Sequence, residues 1–200
     1  MTTTDTTETL YQGQYLRLKR QGHWEYAERC NASGAVIVVA LTPENKLLFV
    51  EQYRIPIAAR SIEMPAGLVG DLSDNDTIEA AARRELLEET GWQATHIDLL
   101  MTGPTSSGLS NEMIAFVRAR GLTRIDAGGG DESENITVHE VPLADAPRWL
   151  AGKMAEGYSM DPKLWAGLWM IARNPDGSAL IDSPPTQPPC SAIIGAMSVA

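Results

Sequence analysis

The chain has 200 residues, 44% of them hydrophobic, and a formal net charge of −10; that length fits one compact domain with tails, and the acidic balance excludes an exposed basic stripe that would track a nucleic-acid backbone. No apolar run approaches the roughly 20 residues of a membrane helix, and neither Cys30 nor Cys190 stands in a metal-binding or disulfide spacing. The first ten residues, threonine-rich and acidic, do not read as a secretory signal, which makes the cytoplasm the expected compartment.

Residues 1–10 are expected to form a flexible start. Residues 11–20 and 24–30 alternate well enough to be two strands of a hairpin joined at Gln21-Gly22. The run 35–41 is a buried strand, and 46–52 is its expected partner across Thr42-Pro43-Glu44-Asn45. A short strand at 61–64 precedes a helix at 77–90, and strands follow at 97–101 and 113–119. Glycines 128, 129 and 130 open an acidic loop ahead of a strand at 136–141. Two helices close the domain, one over 143–154 and one begun by Asp161-Pro162, an N-cap with proline at the first helical position. Trp165, Leu168 and Trp169 recur at helical spacing and read as core or interface. From residue 174 the chain holds five prolines, and 174–200 reads as a tail.

The helix at 77–90 carries the chemistry. Thr77 suits its N-cap and Gly91 its left-handed stop. At about 100° per residue from Ile78, Leu86 lies at about 80°, Glu85 at about −20°, Glu89 at about 20° and Glu88 at about −80°. Glu85 and Glu89 therefore share the apolar face. Acids in the last turn oppose the helix dipole, at about 0.3 to 1 kcal/mol each, and they repel one another. Arg84 can hydrogen-bond one carboxylate, but a single guanidinium does not neutralise three acids. Carboxylates spaced i, i+3 and i+4 suit Mg²⁺ or Mn²⁺, which prefer hard oxygen ligands. The plainer reading of such a cluster is a solvated acidic face; the overlap with the apolar stripe argues for metal. A calcium loop at 71–76 is excluded because the glycine and terminal glutamate spacing of an EF-hand is missing.

Arg84-Glu85-Leu86-Leu87-Glu88-Glu89-Thr90-Gly91-Trp92 resembles the second half of the Nudix hydrolase signature, G-x5-E-x7-R-E-U-x-E-E-x-G-U, with U apolar. One alignment of the first half uses Gly70, with Asp76 where the family has glutamate. The preferred one uses Gly67, because Glu63-Met64-Pro65-Ala66-Gly67 is similar to the segment carrying that glycine in the ADP-ribose pyrophosphatase branch. The resemblance spans about residues 11–173. It implies an α/β (α+β) fold, an α/β/α sandwich with a mixed central β-sheet and an N-terminal antiparallel hairpin. In that branch the first strands, here 11–33, cross to a second subunit and form a homodimer.

The same resemblance implies the site. Glu85, Glu88, Glu89, the Ala66 carbonyl and Glu134 would be metal ligands, and Arg84 belongs to the catalytic set with Glu88. Glu132, in a late loop similar to the one that supplies a catalytic glutamate in bacterial members, would be the general base. Arg54, after Glu51-Gln52-Tyr53, would bind phosphate through its planar fork. Trp24 and Tyr15 match the adenine-sandwiching aromatics, with Glu25 near the base and Arg29 near the diphosphate. Ser107 stands where many ADP-ribose hydrolases have proline. His139 reads as structural, and Glu112 equally as a site acid or a surface residue. The implied activity is metal-dependent hydrolysis of the pyrophosphate of a nucleoside diphosphate derivative, with ADP-ribose leading. A GDP-sugar or dinucleoside polyphosphate is the alternative substrate, and a non-catalytic nucleotide sensor the alternative class.

Overall fold

A computed structural model describes residues 6–73, 76–130, 135–171 and 173. In chain order the elements are β1 (Glu8–Gln12), β2 (Leu16–Gln21), β3 (Trp24–Arg29), β4 (Gly34–Ala40), β5 (Lys46–Arg54), a 3-10 turn (Ile55–Ile57), β6 (Ala59–Glu63) and β7 (Ala66–Val69). These are followed by α1 (Ile78–Thr90), β8 (Trp92–Pro104), β9 (Met113–Arg124), β10 (Thr137–Pro142), α2 (Ala146–Ala155), β11 (Ser159–Met160) and α3 (Lys163–Ile171).

β4 explains the layering. Val36, Val38 and Ala40 join a core with Ala81, Ala82 and Leu86 of α1, whereas Ile37 and Val39 join a second core with Leu150 of α2 and Leu164 and Ile171 of α3. A strand buried on both faces reads as an unbroken apolar run, which is what residues 35–41 are. The result is the expected α/β/α sandwich. Its middle, however, is two four-stranded sheets, ordered β7-β4-β9-β8 and β10-β5-β6-β11. Each contains one parallel pair, β4 with β9 and β6 with β11, among antiparallel ones.

Several expectations change here. The 35–41 and 46–52 strands do not form a hairpin ladder. Only Leu41 and Leu47 bridge, because β4 and β5 diverge into different sheets after the turn, where Asn45 adopts a left-handed φ of 58°. The first expected strand is two, separated by a turn in which the Gly13 amide donates to Leu16, so the N-terminal unit is a three-stranded sheet rather than a hairpin. β1 also begins at Glu8, inside the stretch expected to be flexible. Of the three residues expected in core or interface, Leu168 packs against the second core, whereas Trp165 and Trp169 lie on the outer face of α3, 43% and 53% exposed, which leaves the interface alternative for them. No helix among the described residues is long and apolar enough to cross a membrane.

The side chain of Thr77 caps α1 by accepting from the Ala80 amide, and Gly91 ends it at φ 74°. The carbonyls left over at that end are not left to solvent. Gly91, Gly130 and Gly129 donate to the carbonyls of Leu87, Glu88 and Glu89 at 2.8, 3.0 and 2.8 Å. The glycines following β9 therefore tie their loop to the last turn of α1. A Cβ at Gly128 would lie 2.4 Å from the Thr90 carbonyl carbon, so the close approach requires glycine there.

Leu86 is fully buried between α1 and β4. Leu86→Ala should destabilise the protein by about 2–5 kcal/mol, read from urea unfolding, through lost transfer energy and the residual cavity.

Candidate active site

The end of α1 packs on β7 beside a cleft of about 680 Å³, whose wall includes Arg29, Gln52, Arg54, Ala66, Gly67, Asp71, Arg84, Glu85, Glu88 and Glu89. The three acids differ in environment as their helical angles require. Glu89 is buried and Glu85 nearly so, while the Glu88 side chain is 55% exposed toward the cleft. Glu89 Oε2 accepts from the Ala66 amide at 3.0 Å, which fixes the Pro65-Ala66 peptide against the helix.

Gly67 is required by the same approach. A Cβ there would stand 1.8 Å from Glu85 Cδ, so any larger residue displaces that carboxyl. Three residues on, Gly70 at φ 85° donates to Asp76 Oδ2 at 3.3 Å and closes the loop between β7 and α1. The two glycines that compete in the sequence alignments thus do different jobs. Gly67 makes room for a site acid, and Gly70 with Asp76 shapes the loop.

Arg84 organises the acids. It lies 2.7 Å from Glu85, 3.0 Å from Asp71, 3.6 Å from Glu88 and 3.7 Å from Asp76, and it donates to the Leu68 carbonyl at 3.1 Å. Burial opposes its charge, but Glu85, Asp71 and Glu88 outweigh that and raise its pKa. For Glu85 burial dominates. It pushes the carboxyl up to about 7 against the pull of Arg84, with the charges of Glu88 and Asp71 adding to the rise. Asp71 had no role by sequence beyond the rejected calcium loop, and only the fold reveals its contact with Arg84.

Arg54 ends β5 at the cleft and meets Glu63 of β6 through two bonds, Nε to Oε1 at 2.8 Å and Nη2 to Oε2 at 2.7 Å. Burial works against the Glu63 charge, yet Arg54, the Ser61 hydroxyl and Lys163 outweigh it and hold the carboxyl below its ordinary range. Arg29 reaches the cleft from β3 and is bound to Glu112 at 2.7 Å. His139 contacts Glu51 at 2.9 Å and packs on Trp149, as a structural residue does.

Trp24, Glu25 and Tyr15 lie away from this cleft in this chain. Trp24 lines a separate cavity of about 500 Å³ with His23, Tyr26, Ser107 and Asn111. Glu25 lies 3.8 Å from Arg20, and Tyr15 is exposed at the turn before β2. Glu132 and Glu134 fall outside the described residues.

The donor set fits a hard divalent cation: three carboxylates and a backbone carbonyl, with the Glu85 carboxyl accommodated only because residue 67 lacks a Cβ. Among the described residues no three such side chains already surround one metal position. Glu85 is turned to Arg84, and Glu89 to the Ala66 amide.

An acidic helix end packed on a glycine-containing strand, facing an arginine across a cleft in an α/β/α sandwich, defines a phosphate-handling, metal-suited site. The NUDIX domain model matches residues 32–160, and the chain belongs to the Nudix family. It is 34% identical to the methanol dehydrogenase activator of Bacillus methanolicus, over 74% of this chain and 82% of that one. Identity is 37% to the ADP-ribose pyrophosphatase of Bacillus subtilis (strain 168), over 56% and 60%. It is 32% to the GDP-mannose pyrophosphatase of Escherichia coli (strain K12), over 72% and 75%. A crystal structure of an ADP compounds hydrolase superposes with a TM-score of 0.64 at 19% identity, covering 83% of this chain and 89% of that one, and shares the fold.

Two tests follow from the geometry. Gly67→Ala should displace the Glu85 carboxyl and weaken Mn²⁺ binding, measured by calorimetry, by about tenfold or more. Glu63 binds its proton less readily folded than unfolded, so its stabilising contribution is complete above its ordinary value of 4.5 and is lost as pH falls through its lower folded pKa. Glu63→Gln should accordingly flatten the acid side of a Tm-against-pH profile.

Proposed function

We propose that this protein hydrolyses the pyrophosphate of a nucleoside diphosphate derivative, with ADP-ribose as the leading substrate and AMP and ribose 5-phosphate as products. The observation that carries this reading is the single cleft in which Glu85, Glu88 and Glu89 face Arg54 and Arg29. The pyrophosphatase names of the Bacillus subtilis and Escherichia coli relatives support the same bond type.

In this reading Glu85, Glu88, Glu89, the Ala66 carbonyl and Glu134 hold Mg²⁺ or Mn²⁺. Such ions, when bound, neutralise the phosphates, acidify a water and stabilise the leaving group. Arg54 and Arg29 orient the diphosphate. Glu132 takes the proton of the attacking water as its oxygen bonds to one phosphorus and the bridging P–O bond breaks. Arg84 keeps Glu85 and Glu88 spaced for their task. The substrate is a small molecule and not a nucleic acid, in keeping with the net charge of −10, and the compartment is the cytoplasm.

The protein acts as a homodimer with exchanged N-terminal strands. Supporting this, among the described residues the β1-β2-β3 sheet shares no ladder with either central sheet, and Tyr11, Leu16 and Leu18 are exposed on it. A partner in that position would bring Trp24, Tyr15 and Glu25 to a neighbouring cleft. A GDP-sugar is the second reading, favoured by Ser107 beside Trp24 and supported by the likeness to the GDP-mannose pyrophosphatase.

Turnover on ADP-ribose, GDP-mannose, NADH and diadenosine polyphosphates, with Mg²⁺ or Mn²⁺, separates these readings. Preferential ADP-ribose cleavage is expected. Glu88→Gln should keep the fold and lower turnover by about 100-fold or more, and Glu132→Gln should do likewise; wild-type rates in both would refute the mechanism.

A further inference from the structure

We propose that Glu63 is a positioning residue for Arg54, locking its guanidinium so that one edge meets the substrate diphosphate already oriented. The inference rests on the phosphate-binding reading of Arg54 given above.

Arg54 is the last residue of β5, its side chain is 44% exposed, and a 3-10 turn follows it directly. An arginine so placed has many rotamers, and fixing one of them on binding lowers affinity. Glu63 removes that freedom beforehand. The β5–β6 register pairs Gln52 with Ser61 and Val50 with Glu63, so Arg54, Ser61 and Glu63 share one face of the sheet and Arg54 reaches back along it. The carboxylate takes Nε and Nη2 in a two-point fork, and two-point contact fixes the guanidinium plane as well as its position.

The burial of the pair is lopsided. The Glu63 side chain is 8% exposed and does not line the cleft, whereas Arg54 does. Beyond Arg54, the Ser61 hydroxyl and the charge of Lys163 at the start of α3 also favour the ionised form of Glu63. The anchor is therefore fixed in the core and the guanidinium is what it presents. A carboxylate that merely balanced charge could sit on the surface; this one spends a buried position on orientation. Lysine at 54 could not be held this way, because an ammonium has no plane to fix.

The test is steady-state kinetics with ADP-ribose and Mg²⁺ on wild type, Arg54→Ala, Glu63→Gln, Glu63→Asp and the Arg54→Ala/Glu63→Gln double variant, with calorimetric Kd for ADP-ribose alongside. Glu63→Gln should raise KM and Kd by about tenfold while kcat stays within about twofold, since preorganisation acts on binding. Glu63→Asp, which keeps the charge on a shorter arm, should fall between that variant and wild type. In the Arg54→Ala background Glu63→Gln should add nothing further. An unchanged or lowered KM and Kd in Glu63→Gln, or an equal rise with Arg54 absent, would overturn the inference. If Glu63→Gln does not fold, Glu63→Asp decides: a raised Kd supports positioning and a wild-type Kd overturns it. Arg54→Ala with wild-type KM and Kd would refute the phosphate role of Arg54, and this inference with it. Absence of turnover in wild type would instead refute the hydrolytic reading, while the Kd series still reads out Glu63.

Discussion

Three carboxylates in the last turn and a half of one helix, two of them packed against Ala66 and Gly67 of a neighbouring strand, set the terms for the rest of this structure. The helix dipole and mutual repulsion both disfavour that arrangement. The fold offsets them with what the surroundings offer: Arg84 among Glu85, Glu88, Asp71 and Asp76, the Ala66 amide on Glu89, and the amides of Gly129 and Gly130 on the helix-end carbonyls. β4 holds β7, and with it the Ala66-Gly67 peptide, at the distance these contacts need. Any side chain at 67 would then have to displace the Glu85 carboxyl.

This also explains why Glu85 resists ionisation although an arginine touches it. The guanidinium is shared among several acids, and burial at the strand interface outweighs its fraction of the charge. Divalent charge delivered at the same place would reverse the balance, which is why the donor set suits a cation better than it suits one more arginine.

Much of this was legible in the sequence, and the reasons are local. Thr77, Gly91 and the 3.6-residue spacing of Ile78, Ala82 and Leu86 fix α1 and the facing of its acids, because caps and periodicity act within a few residues. The unbroken apolar run 35–41 announces a doubly buried strand for the same reason. What sequence could not show is pairing at a distance. The turn at 42–45 looks like a hairpin turn, but β4 takes β7 and β9 as partners and β5 takes β6 and β10, a choice made by long-range core packing. β7 was missed because its four residues carry little pattern of their own. Asp71 and Glu63 were given no role because each acts through an arginine distant in sequence, at 84 and 54. Trp165 and Trp169 have helical spacing but lie opposite the buried stripe of Leu164, Gly167 and Ile171, a phase that composition does not reveal.

Among the described residues, the cavity beside Trp24 shares no lining residue with the carboxylate cleft. It is built from the β2–β3 region and the loop between β8 and β9, joined where the Ala27 amide donates to the Leu109 carbonyl at 2.8 Å. The two cavities can therefore diverge independently. Substitutions at 107, 108 or 111 reshape one wall without touching α1, Ala66 or Arg54, so under the proposed function a lineage could exchange the group it recognises while its bond-breaking apparatus stays under unchanged selection.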